Sequence, residues 1–161
     1  MSPQPPALRA VDPLGADALA LLAQAAAEAR ALYPELFAAD GPPPSNTPRV
    51  QGEVHLVARK GDTPVACIAL RRLDATTAEL RRQFVAASAR RRALARAMLL
   101  ALEDAAQRFG DDTLLLETGD RQQPAMALYE SSGFTRIPPF GGHVGDPTSV
   151  CYARRLVAAR G

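Results

Sequence analysis

The strongest constraint on this fold is a helix followed at once by a strand in the second half of the chain. Leu94, Met98, Leu102, Ala105 and Phe109 stand at i, i+4, i+8, i+11 and i+15, one apolar stripe along a helix from about Arg90 to Phe109. Gly110 comes next, a residue suited to a left-handed cap. "TLLLE", Thr113–Glu117, is a short apolar run between polar turns and reads as a buried central strand. A one-faced helix beside a buried strand implies a layered α/β domain.

The rest of the chain fits that frame. Residues 1–10 are proline-rich and read as a flexible tail ahead of a single domain over 11–161. A helix opens at Asp12-Pro13, carries Leu19, Leu22, Ala26 and Ala29 at helical spacing, and ends before Pro34. "AADGPPPSNTPR" can only be a loop, long enough to suggest a binding loop or lid. Glu53–Arg59 and Pro64–Leu73 read as strands joined by the turn Lys60–Thr63, and Thr76–Ala86 as a third strand of the meander. A helix from Gln122 to Ser132 is capped by Gly133. The strands "FTRI" and "SVCYARRL" close the domain, separated by "PPFGGHVGDPT". The expected sheet is mixed and mostly antiparallel.

Composition narrows the function. The chain has 161 residues and a formal net charge of +2, too balanced to indicate a nucleic-acid protein. Cys67 and Cys151 lie outside any metal-binding spacing, so no metal site is expected. His55 and His143 are far apart and read as a strand residue and a loop residue rather than a site. No segment reads as a signal peptide or a membrane span. The expectation is a reduced cytoplasmic protein, monomeric or homodimeric, that binds neither membrane nor nucleic acid.

Three features carry possible chemistry. "SARRRALARAM", Ser88–Met98, joins a strand to a helix N-terminus. Free backbone N–H groups and the helix dipole favour an anion there, which would also explain arginines at an end where they oppose the dipole. The alternative is a solvated basic face. Tyr129 in "ALYESSGF" is either a core residue or an acid able to protonate a departing thiolate. Glu79 is either a base or a strand-face charge paired with Arg71 or Arg81.

Taken in order, these features resemble the GNAT-type N-acetyltransferases. The resemblance is carried by Ala78–Ile137 and extends over about residues 11–157. The family pattern Q/R-x-x-G-x-G/A reads R-R-R-A-L-A here, and the family's LYxxxGF ending reads "LYESSGF". The resemblance implies a GNAT fold with a splayed strand pair and acetyl-CoA as cosubstrate. It implies that Phe84 and Val85 hold the acetyl carbonyl and the pantetheine arm. Arg90, Arg91, Arg92, Ala93, Leu94, Ala95 and Arg96 would form the pyrophosphate turn. Gln122 replaces an asparagine that often contacts the pantetheine, and Ala125 follows it on the same helix. Tyr129 would protonate the CoA thiolate and Glu79 would be the base.

Ala93 stands where the family prefers glycine, which lets backbone approach phosphate closely. The implied activity is transfer of an acetyl group to a primary amine of a small molecule or peptide, by direct attack in a ternary complex. The alternative that Ala93 raises is a catalytically impaired acyl-CoA-binding or protein-interaction module. The acceptor stays open: Glu79 and Glu117 suit a cationic amine, Arg71 and Arg81 one bearing a carboxylate.

Overall fold

The structure is a computed structural model that describes residues 7–37, 41–90 and 92–156. Its elements run β1 (Leu8–Ala10), α1 (Ala16–Leu32), β2 (Val54–Lys60), β3 (Thr63–Arg72), β4 (Thr77–Val85), α2 (Arg92–Arg108), β5 (Thr113–Gly119), α3 (Gln123–Ser131), β6 (Thr135–Ile137) and β7 (Ser149–Arg155). They build one sheet of order β1-β2-β3-β4-β5-β7-β6. Among the described strands only β4 and β5 pair in parallel, and α2 makes the crossover that a parallel pair needs.

Side-chain alternation gives the sheet two faces with different covers. On one face, Met98, Leu99 and Leu102 of α2 pack against Ile68, Leu70, Leu80, Leu114 and Leu116. On the other, Leu21 of α1 meets Val57 and Cys67. The expected α2 stripe is present except at its end. Phe109 falls just past the helix and is 38% exposed, while Leu99 and Ala106 take buried places.

Two expectations are corrected. Leu8–Ala10 are not tail: they pair antiparallel with Leu56–Ala58 at the sheet edge, whereas residues 1–6 lie outside the described part. In α1, Leu19 points to solvent, and Ala18, Leu21 and Leu22 are buried instead. Alanines on both faces of that helix blur its apolar stripe, so spacing alone chose the wrong leucine.

Candidate active site

The sheet is split at its centre. β4 and β5 pair only from Thr77↔Thr113 to Leu80↔Leu116. Beyond that, β4 continues to Val85 bonded to β3, and β5 continues to Gly119 bonded to β7. The two strands therefore diverge and leave a slot, as the resemblance implies. The cleft around it measures about 480 Å³ and is walled by Arg81–Phe84, Glu117–Gly119 and Ala25, Ala26 and Ala29 of α1. That volume is within the ordinary range of small-molecule sites.

β4 is reshaped as it enters the slot. Its register with β3 shifts between Cys67↔Phe84 and Ala69↔Arg81, placing an extra residue in β4. Arg82 lies there with φ +58°, the one non-glycine with positive φ among the described residues. The Cys67 thiol donates to Arg82 O at 3.1 Å. Past the bulge, Ala86 N–H bonds to Val65 O on β3. Alternation then turns the N–H and C=O of Val85 the other way, away from β3. The Val85 carbonyl accepts from Arg90 Nε at 3.0 Å.

The turn that the resemblance assigns to pyrophosphate divides into parts with different surroundings. The Arg90 guanidinium is committed to Glu28 of α1 and to Val85 O. Arg91 lies outside the described residues. Ala93 is the second residue of α2, is exposed and has no positive φ. Its methyl group therefore sits in ordinary helix geometry, which alanine favours. Leu94 is buried in the core, and Arg96 Nη2 bonds to Ser131 Oγ at 3.2 Å.

Tyr129 reaches the cleft from α3. The turn after that helix returns Phe134 N–H to Tyr129 O at 3.1 Å through Gly133, whose φ of +90° suits glycine. The phenol is 4% exposed, and its hydroxyl donates to Gln83 Oε1 at 2.7 Å. Burial, with Tyr152 adding a little, pushes it above the usual phenol value. Gln122 and Ala125 at the start of α3 line the same cleft. Gly119 also lines it, and a Cβ there would run into the Tyr33 hydroxyl. That hydroxyl accepts from Arg121 N–H at 2.7 Å, which ties the end of α1 to the turn between β5 and α3.

Glu79 is buried and does not use the expected arginines. Arg71 is its cross-strand neighbour, yet Glu79 Oε2 lies 3.3 Å from His143 Nε2. His143 Nδ1 lies 3.6 Å from Glu117 Oε2, which also accepts from Ser149 Oγ at 2.5 Å. His143 is a loop residue as expected, in the turn Gly141–His143, but that loop folds it between two carboxylates. Glu117 is the member of this chain that lines the cleft. Sequence spacing could not reveal the cluster, because 64 residues separate Glu79 from His143. Cys151 is buried on the same sheet face, its thiol raised above the usual value chiefly by burial.

Comparison with known proteins agrees with this geometry. The profile of the acetyltransferase (GNAT) family matches residues 18–134. An IAA acetyltransferase of Azospirillum brasilense is 40% identical over 102 residues, 63% of this chain and 67% of that protein. The N-acetyltransferase YsnE of Bacillus subtilis (strain 168), itself uncharacterized, is 36% identical over 101 residues, 62% of this chain and 67% of that one. Among solved structures, a Klebsiella pneumoniae chain assigned to the acyl-CoA N-acyltransferases superposes with TM-score 0.76 at 28% identity. It covers 94% of this chain and 98% of its own.

Proposed function

The chain belongs to the acetyltransferase (GNAT) family, and from that premise we propose that it transfers acetyl from acetyl-CoA to the primary amine of a small molecule within a ternary complex. The observation that carries this reading is the parting of β4 and β5 beyond Leu80 and Leu116, with the Tyr129 hydroxyl bordering the gap. A cleft of about 480 Å³ between the strands suits a thioester arm and its acceptor together. Acetyl-CoA supplies an activated acyl group there; the chain's residues supply position and proton transfer.

Each residue has a distinct part. The Val85 N–H, turned away from β3 at the parting of the strands, donates to the thioester carbonyl and stabilises negative charge developing on its oxygen. The first turn of α2 offers the unpaired N–H groups of Arg92, Ala93 and Leu94 to the pyrophosphate. Glu117 receives the amine proton, because it is the carboxylate that lines the cleft. Glu79, the base implied by the resemblance, lies behind His143 and acts as a positioning residue through it. Tyr129, raised by burial, keeps its proton at neutral pH and can deliver it to the departing sulfur.

The reading of an impaired cofactor binder loses its main support in the backbone. Ala93 occupies a regular helical position where glycine's conformational freedom is not required. Incubation with acetyl-CoA and a panel of primary amines tests the proposal, following free-thiol release and the mass of the acetylated amine. Amine-dependent thiol release with matching product supports it; release without acetylated amine rejects it.

A further inference from the structure

Beside the main cleft is a smaller hollow of about 70 Å³. Arg71, Arg81, Arg82 and His55 line it, and His55, Arg81, Arg82 and Asn46 also line the main cleft, so the two adjoin. The sheet register explains the grouping: His55 pairs with Ala69, and Ala69 with Arg81, one row across three strands on the face covered by α1.

The positive charge of this hollow is largely unspent. Among the described residues, Arg71 and Arg81 form no ion pair. Glu79, the carboxylate opposite Arg71, is turned to His143. Glu53 lines the hollow too, but its two oxygens accept the N–H groups of Val50 and Arg72 at 3.2 and 3.0 Å. Arg82 donates to Ser45 O at 3.0 Å, a neutral carbonyl. His55 is 5% exposed, and its Nε2 has no hydrogen-bond partner. A buried ring nitrogen without a partner is costly unless something arrives to meet it.

We propose that this hollow receives the carboxylate of the acceptor, so that the substrate is an amine that also carries a carboxylate. The inference rests on the acyltransfer reading and deepens it. Arg81 and His55 Nε2–H donate to the carboxylate oxygens, and Arg71 adds charge at the rim. Across the divergence of the strands, Glu117 stands level with Arg81, each one residue past the last pair Leu80↔Leu116, and meets the amine. Arginines on one lip and a glutamate on the other fit an amino acid better than a simple amine or a polyamine. The apolar walls beside them, Leu22, Ala25, Phe37 and Phe84, suit a hydrophobic body. The hollow is separate from the pyrophosphate turn, since Arg81 precedes Val85 by four strand residues, roughly 12 Å.

The test compares leucine, methionine and phenylalanine with their α-amides as acceptors. The acids should exceed their amides by about 10-fold or more in kcat/KM. That ratio should fall toward one in Arg81→Gln and partly return in Arg81→Lys. In parallel, the N-acetylated acids and their amides are titrated by calorimetry in the presence of CoA. The acids should bind more tightly, and Arg71→Gln, at the exposed rim, should reduce that advantage if Arg81→Gln does not fold. Equal handling of acids and amides in both assays overturns the inference. Turnover of no amine, with acid binding that depends on the arginines, would refute the acyltransfer reading while retaining the anion subsite.

Discussion

The Tyr129 hydroxyl donates to Gln83 Oε1 at 2.7 Å, and the Gln83 amide in turn donates to Ala95 O at 3.3 Å. One glutamine at the β4 bulge thus links the phenol of α3 to the first turns of α2. Tyr129, the acid of the proposed mechanism, is thereby tied to β4 and to the start of α2. Tyr129→Phe should lower kcat by about 10²-fold or more while acetyl-CoA affinity stays within a few-fold. Steady-state kinetics with calorimetric affinity checks this; equal loss of both would make Tyr129 a structural residue.

The chain Glu79···His143···Glu117 predicts graded effects. Glu117→Gln should cost the most in kcat, about 10²-fold, because it removes the proton acceptor in the cleft. Glu79→Gln should cost less, since it disturbs only the imidazole's seating, and His143→Asn should resemble it. Steady-state kcat values of the three variants, measured with the same amine, check this order. A larger loss from Glu79→Gln than from Glu117→Gln would make Glu79 the base.

Cys67 lies at the cleft wall, yet its thiol should be inert. Burial pushes it up to about 12, only partly offset by Arg82. At pH 8 about one molecule in ten thousand would carry the thiolate that reacts with disulfide reagents. Thiol titration of the folded protein should therefore show no fast-reacting cysteine, and both thiols should react after unfolding. Rapid native modification of Cys67 would contradict the packing described around the bulge.

Asp111 sets a stability prediction. Its side chain is buried, 3.4 Å from Arg72 Nη2, and burial raises its carboxyl above the ordinary value despite that cation. A raised carboxyl contributes stability that is full below the unfolded value of 3.8 and is lost as pH rises through the folded value. At pH 7 the ionised form is therefore a cost. Asp111→Asn should raise Tm at pH 7 and change it less at pH 4. A lower Tm at pH 7 would show that the Arg72 pair outweighs burial.

Much of this arrangement was legible because it rests on local regularities. The α2 stripe, its stop at Gly110 and the strand that follows depend on apolar period and turn chemistry within a short window. The placement of Tyr129 followed from the helix leading to Gly133. What escaped depends on long-range packing. β1 is three residues long and exists only because Val57 and its neighbours present a free edge. His143 enters the site through a loop without periodicity, and His55 faces the cleft because of sheet register rather than any motif. The face of α1 was hidden because its inward and outward positions are both alanine-rich.

Calorimetric titration with acetyl-CoA is the most direct measure of the central claim, that the parted β4 and β5 strands hold this cosubstrate with Ala93 in the turn. One molecule should bind per chain with a dissociation constant in the enzyme range of about 1 µM to 1 mM, and Ala93→Gly should change it little. No binding at millimolar acetyl-CoA would contradict the claim, and a large gain from Ala93→Gly would show that the natural turn obstructs the phosphates.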